Sequence, residues 1–346
     1  MQELKRIINY KRIILLLIAV TVNVVFFLYD NKPVMDEDII NKENVAHETY
    51  IKNYHEEVNA IIDNADKLKK YSIFNKAGSF SYANILQTAR DFERVKNVIL
   101  PEDEYKGVQA YTTYYYQYFF TMLVMMFVIY DMFAQRDNGM WSITYSCANG
   151  RIMYAIKQTG VIVVTGAFTH TLIYWSTFIA AMLQRGGVRD LVNPVQTIET
   201  FDKFTYPWSK IKYVTVLYLI SMVCIVALCI TIWGVFVMFR NRVYALVTML
   251  IFAAVEQFIY SHIDIHSVWN GLHYINIINI ININATFSSY RNWGVGTYVF
   301  PVFSVVLFVH IICAGVIGYI AINVSASMKP YKNTTFIKRF TDCVSA

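Results

Sequence analysis

The sequence predicts an all-α integral membrane protein with six transmembrane helices, and three observations carry that class. Hydrophobic residues make up 56% of the chain and charged residues 16%, whereas a soluble domain carries about 25% charged residues. Several apolar runs approach or exceed the ~20 residues that cross a bilayer. The basic residues gather in the segments that a single orientation would leave on one side of that bilayer. The net charge of +6 does not point to nucleic acid, because the Lys and Arg residues form no basic stripe with interleaved aromatics.

Residues 1–12 set Lys5, Arg6, Lys11 and Arg12 between Leu4, Ile7, Ile8 and Tyr10, a basic amphipathic lead-in suited to an anionic leaflet. The first span follows at 13–29, so 1–29 forms one unit. A cleaved signal peptide is the alternative, but the apolar core is long and 20–30 offers no A-x-A-type site; this favours an uncleaved anchor.

Residues 30–110 are the polar exception, with fifteen Asp/Glu against eleven Lys/Arg. Tyr50, Ile51, Tyr54, Val58, Ile61, Ile62, Ala65 and Leu68 follow a helical period, and Ile85, Leu86, Ala89, Phe92 and Val95 repeat it. The expectation is a small helical extracellular domain inserted between spans one and two, serving as a cap or binding a ligand or partner.

The remainder, 111–346, holds spans two to six. Span two is expected at 111–133, opening on tyrosines (Tyr111, Tyr114, Tyr115, Tyr116, Tyr118) that suit the headgroup level. Between spans two and three, Gln135 to Lys157 is too polar for hydrocarbon. Met140, Trp141, Ile143, Tyr145 and Ile152 fit a short helix along the membrane surface, centred on 135–151, with a plain cytoplasmic loop as the alternative. Span three covers 152–183, a polar loop 184–210, span four 213–239 and span five 243–260. Residues 262–293 contain INIINIININ at 275–284, which places Asn276, Asn279 and Asn282 on one side of a helix. Too polar to face lipid and too apolar for an open loop, this stretch reads as an outer re-entrant element or as an ordinary outer amphipathic helix. Span six is expected at 298–324, before a basic cytoplasmic tail, 325–346.

With both termini cytoplasmic, thirteen Lys/Arg fall on inside segments and six on the short outside loops, the long 30–110 insert being exempt. That gives a multi-pass protein of the cell (plasma) membrane. None of the five cysteines lies in the 30–110 domain, which implies no disulfide framework and fits a bacterial envelope protein.

Catalytic motifs are absent from the sequence. It contains no G-x-x-x-x-G-K-[ST], H-E-x-x-H, C-x-x-C or G-x-S-x-G, and no acid, base and nucleophile fall together, so the chain is not read as an enzyme. His262, His266 and His273 lack a further ligand at metal-site spacing, so no metal is assigned. Glu256, followed by Gln257, is the one carboxylate deep in an expected span. There it either lines a pathway, together with Gln257, Asn276 and Asn279, or meets Lys210, Lys212 or Arg291 at the surface.

The layout and the 135–157 loop together resemble the permease subunit of type II ABC exporters. The family's coupling loop has an acidic residue, a glycine, a small-residue or proline turn, an arginine and a lysine opening span three. Asp137, Gly139, Ser146, Arg151 and Lys157 stand at those positions, with Met140 and Trp141 between them; Asn149-Gly150 replaces the proline-containing turn. The resemblance implies a cytoplasmic coupling helix and short re-entrant helices between spans five and six. It further implies a separate P-loop ATPase subunit that binds ATP and magnesium, since this chain holds no cofactor, and a second permease subunit, identical or related. Membrane lipid is the remaining partner, and the cargo would be an amphipathic peptide, lipid or drug moved outward. Two other classes compete. An ion-driven secondary transporter would show paired intramembrane charges or two similar halves. A membrane sensor or immunity protein would bind a peptide through 30–110.

Overall fold

The computed structural model describes residues 10–33, 36–71, 76, 78–101, 106–137, 150–239, 241–263, 267 and 269–327. Residues 1–9 of the lead-in, 138–149 of the loop between spans two and three, and 328–346 of the tail lie outside them. The described chain is helical apart from one two-stranded hairpin. Six of its helices are long and apolar enough to cross a membrane, which fits a multi-pass membrane protein.

The spanning helices are α1 (Tyr10–Asp30), α5 (Tyr116–Asp137), α6 (Gly150–Arg185), α7 (Lys210–Met238), α8 (Arg242–His262) and α12 (Val302–Ser327). Between α1 and α5 lie α2 (Glu37–Leu68), α3 (Phe80–Glu93) and the short α4 (Gly107–Thr113). Three 3-10 turns, Arg189–Val192, Val195–Thr197 and Glu199–Phe201, join α6 to α7. After α8 come three one- to two-turn helices, α9 (Asn270–Ile275), α10 (Ile277–Ile281) and α11 (Ile283–Ser288). The hairpin β1 (Asn292–Val295) and β2 (Tyr298–Pro301) then leads into α12.

Local chemistry sets these boundaries. Asp36, Ser79, Ser209 and Asn241 cap α2, α3, α7 and α8, each side chain accepting a backbone N–H of the first turn. The acidic Glu37 and Asp38 sit at the positive end of α2. After α6, Gly186 and Gly187 take φ of 70° and 103°, a left-handed exit that glycine makes without a Cβ clash. In the hairpin, Val295 pairs Tyr298 across Gly296-Thr297, and Gly296 at φ 63° supplies the first turn position.

Successive spans run in opposite directions. At one end, here the Arg12 end, Arg12 pairs with Asp131 and Arg136 donates to Phe236 O (3.1 Å). At the same end Arg151 donates to Ala326 O (3.4 Å) and Arg242 lies over the Tyr130 ring. The opposite, Asp30 end carries α2, α3, the 3-10 loop and the hairpin. The most central span is α7, which packs against α5, α6, α8, α11 and α12. One core cluster lies toward the Asp30 end around Tyr111, Tyr174, Phe201, Tyr213 and Phe287, and another toward the Arg12 end around Phe133, Trp233 and Phe236. The helices α1 and α8 bury little of themselves, leaving Leu17, Ile18, Leu250, Ile251 and Phe258 exposed.

The layer over the Asp30 end is held at several points. Its own core is Tyr54, Val58, Ile62, Phe92, Val95 and Leu100. Tyr50 donates to Gln196 O (2.7 Å) in the α6–α7 loop, and Asn292 of β1 donates to Asn84 Oδ1 (2.9 Å). Tyr290 donates to Asp91 (3.0 Å), and Lys106 pairs with Glu43. The two helical periods expected in 30–110 lie on α2 and α3, with Val95 alone falling just past the end of α3.

Two spans begin later than the sequence predicts. The chain breaks at Tyr114–Tyr115, so α5 starts at Tyr116. Of the tyrosines expected there, Tyr111, Tyr114 and Tyr118 are buried in the bundle, and Tyr115 is exposed. Asn23 on α1 is the reason at Tyr114, whose hydroxyl reaches Asn23 Oδ1 (3.0 Å) inside the bundle. Residues 298–301, expected to open span six, form β2 instead; Tyr298, Val299 and Phe300 are β-formers and Pro301 ends the strand.

Candidate functional site

The site is the broken helical stretch α9–α11 together with the part of α8 that it meets. Glu256 lies six residues before the end of α8 at His262, a depth of about 9 Å at ~1.5 Å per residue. Asn276, between α9 and α10, donates from Nδ2 to Glu256 O (2.7 Å), and Ile277 N–H donates to Glu256 Oε2 (3.2 Å). Asn276 Oδ1 accepts from Ile278 N–H (2.8 Å). The chain therefore turns back beside α8 below its end, and polar backbone at that depth is tolerated where side chains satisfy it.

Asn279 closes the turn from the other side, donating to His273 O (2.6 Å) and Tyr274 O (3.1 Å), while Thr286 reaches Asn279 O (3.3 Å). Asn284 bridges outward: its Oδ1 accepts from Tyr213 OH (2.6 Å) and its Nδ2 donates to Thr112 O (2.6 Å), tying α11 to α7 and α4. The isoleucines divide by depth, with Ile280 and Ile283 buried beside Phe287, Val302 and Val306. The Asn/Ile stretch is thus three short helices with joints at Asn276 and Asn282, not one continuous helix. Asn276 and Asn279 are buried and serve backbone groups. Glu256 is half-buried, and Gln257 is exposed and donates to Ser261 Oγ (3.3 Å) on its own helix. Of the cations expected near it, Lys212 lies over Trp208 and Arg291 donates to Tyr274 OH (2.7 Å).

A second polar group lies inside the bundle. His170 on α6 contacts Ser221 Oγ on α7 through Nε2 (2.8 Å), and Ser221 donates to Tyr218 O (3.0 Å). The His170 ring stacks near those of Tyr118 and Tyr218, each 5.9 Å away. Closer to the Asp30 end, Asn23 donates to Thr177 Oγ1 (2.7 Å), linking α1 to α6. Polar contacts of this kind hold membrane helices together where the hydrophobic effect between them is weak.

Of the loop residues, Gly139, Met140, Trp141 and Ser146 lie outside the described residues, as does His266. Asp137 is the last residue of α5, and its side chain lies outside the description. Arg151 stands in the first turn of α6, half-buried, and Lys157 is exposed on the same helix. His262 contacts Phe258 O within its own helix (3.0 Å), and His273 stacks on Tyr260. No metal-binding cluster is found among the described residues. The same chain compared with family models, with curated proteins and with solved structures finds no match.

Sequence reasoning missed Asn23, Tyr114, Thr177 and Ser221 as polar seams. Asn23 was open to detection, since a lone carboxamide within a Val/Phe run is costly in hydrocarbon unless bonded. Thr177 and Ser221 carry no comparable signal, because a hydroxyl can bond back to its own helix.

Proposed function

We propose that this chain is the transmembrane permease subunit of an ATP-driven exporter, moving an amphipathic cargo out of the cell with a separate ATPase subunit. The reading is supported most by the placement of the broken α9–α11 stretch. It dips beside Glu256 at one end of a six-helix bundle whose opposite end gathers Arg12, Arg136, Arg151 and Arg242. Arginine at the ends of spans favours the cytoplasmic side, so the Arg12 end would face the ATPase and the α2–α3 layer would face outward.

Mechanically, α5 and α6 are joined at the Arg12 end through 138–149 and pack on each other and on α7. A push on that loop by an ATPase closing on ATP would move both helices against α7, across the His170–Ser221 contact, toward the α9–α11 turn. The thinly buried α1 and α8 leave apolar faces for lipid or for a second permease subunit that completes the path.

The deciding experiment is mild-detergent purification of the tagged protein from its native membrane. A stoichiometric P-loop ATPase is expected, and it should be lost when 138–149 is replaced by a Gly/Ser segment of equal length. Purification of the chain without any ATPase, at normal membrane levels and in several detergents, would remove the exporter reading in favour of an ion-driven transporter or a sensor.

A further inference from the structure

A cavity of about 380 Å³ opens at the Asp30 end, between the α2–α3 layer and the hairpin, within the usual range for ligand pockets. Three aromatic rings line it: Phe80 from the first position of α3, Tyr274 from α9 and Trp293 from β1. The Tyr274 and Trp293 rings stand 6.3 Å apart at 59°, and Val302 at the start of α12 adds an aliphatic wall. The cavity is therefore assembled from four elements, with α3 brought from far along the chain to meet α9, β1 and α12. Its shape is held by close packing on one side, where Gly294 lies so near the Phe80 ring that a Cβ there would run into it.

Its polar groups are few and specifically placed. Asn292 uses Nδ2 for Asn84 Oδ1 (2.9 Å) and Tyr290 OH (3.1 Å), which leaves Oδ1 as an acceptor. Asn270, exposed at the rim, makes no side-chain hydrogen bond with other described residues. Arg291 stands beside them, its guanidinium bonding the Tyr274 hydroxyl and lying over that ring, while the Asp91 carboxylate behind Tyr290 is already paired with Arg94. Rings with two carboxamides and one cation suit an aromatic group flanked by an amide and a carboxylate.

We propose that this cavity binds an aromatic side chain of an amphipathic peptide, with Asn270 and Asn292 meeting the peptide's backbone amides and Arg291 meeting an acidic group beside them. The site belongs to this chain alone and needs no ATPase, so it stands or falls separately from the exporter reading.

The test uses the full chain in nanodiscs of zwitterionic lipid and a fluorescein-labelled hexapeptide with one tryptophan and a C-terminal glutamate. Fluorescence anisotropy should show saturable binding, weakened about tenfold or more when the peptide's tryptophan is replaced by alanine. Asn270→Trp, which fills the cavity from its exposed rim, should abolish saturable binding. Arg291→Gln should weaken binding of the acidic peptide but not of the uncharged analogue that ends in glutamine amide. Equal binding of the tryptophan and alanine peptides, or unchanged binding by Asn270→Trp, would overturn the assignment. Displacement of the peptide by maltohexaose would overturn it in favour of a sugar site.

Discussion

The sharpest structural prediction concerns three asparagines that look alike in the sequence. Asn279 is 8% exposed and places one amide nitrogen against two backbone carbonyls, those of His273 and Tyr274. Truncation by Asn279→Ala removes two hydrogen bonds of about 0.5–1.5 kcal/mol each and leaves buried carbonyls unpaired, so a loss of about 2 kcal/mol is expected. For a chain of 346 residues that lowers the unfolding midpoint by roughly 3 °C. Asn279→Asp should cost more when ionised, since a carboxylate oxygen would face those carbonyls, and should recover partly at acidic pH, where the protonated acid can donate once. The control is Asn282→Ala: Asn282 is half-buried and its side chain makes no hydrogen bond with other described residues, so its midpoint should stay within about 1 °C. Thermal unfolding in one detergent, followed by thiol reactivity of the buried Cys224 and Cys229, reads all three. Equal losses at 279 and 282 would refute the assignment of Asn279 as the strut of the turn.

Three further outcomes follow from particular contacts. Burial beside Asp91 pushes the Tyr290 hydroxyl up to about 12. Its folded value lies above the ordinary tyrosine value near 10, so its contribution is fully present below about pH 10 and is lost as pH rises through about 12. Tyr290→Phe should remove that part of the alkaline loss, read as protease sensitivity of 37–93 against pH. Gly107→Ala would drive a methyl group into Gly186 O and the Met182 side chain and should cost about 1–3 kcal/mol, seen as a lower unfolding midpoint. Under the exporter reading, Arg151→Glu should separate ATP hydrolysis from transport in reconstituted vesicles while the chain reaches the membrane at normal levels; unimpaired transport would count against a coupling role for this position.

How much was legible depended on what each signal reports. Span number and approximate placement came through because they rest on apolar length, which the bilayer dictates directly. The helical periods of 30–110 came through because one face of each helix had to be buried. The two span starts that shifted did so for different reasons: a distant polar group, Asn23, draws Tyr114 inward ahead of α5, and local β-forming residues turn 298–301 into β2. The Asn276, Asn279 and Asn282 spacing was real in the sequence, but equal spacing does not specify what each carboxamide meets. Once the chain turns at Asn276, that residue caps α10 and bonds α8, Asn279 closes the turn, and Asn282 becomes a joint with no side-chain hydrogen bond among the described residues. The same turn redefines Glu256. Read along its helix, it is an isolated carboxylate in a span; read across to α10, it is the acceptor for an N–H that hydrocarbon cannot satisfy. A polar residue in such a bundle is therefore explained by whichever broken backbone it has to complete, and that is a property of the fold around it rather than of its position along the chain.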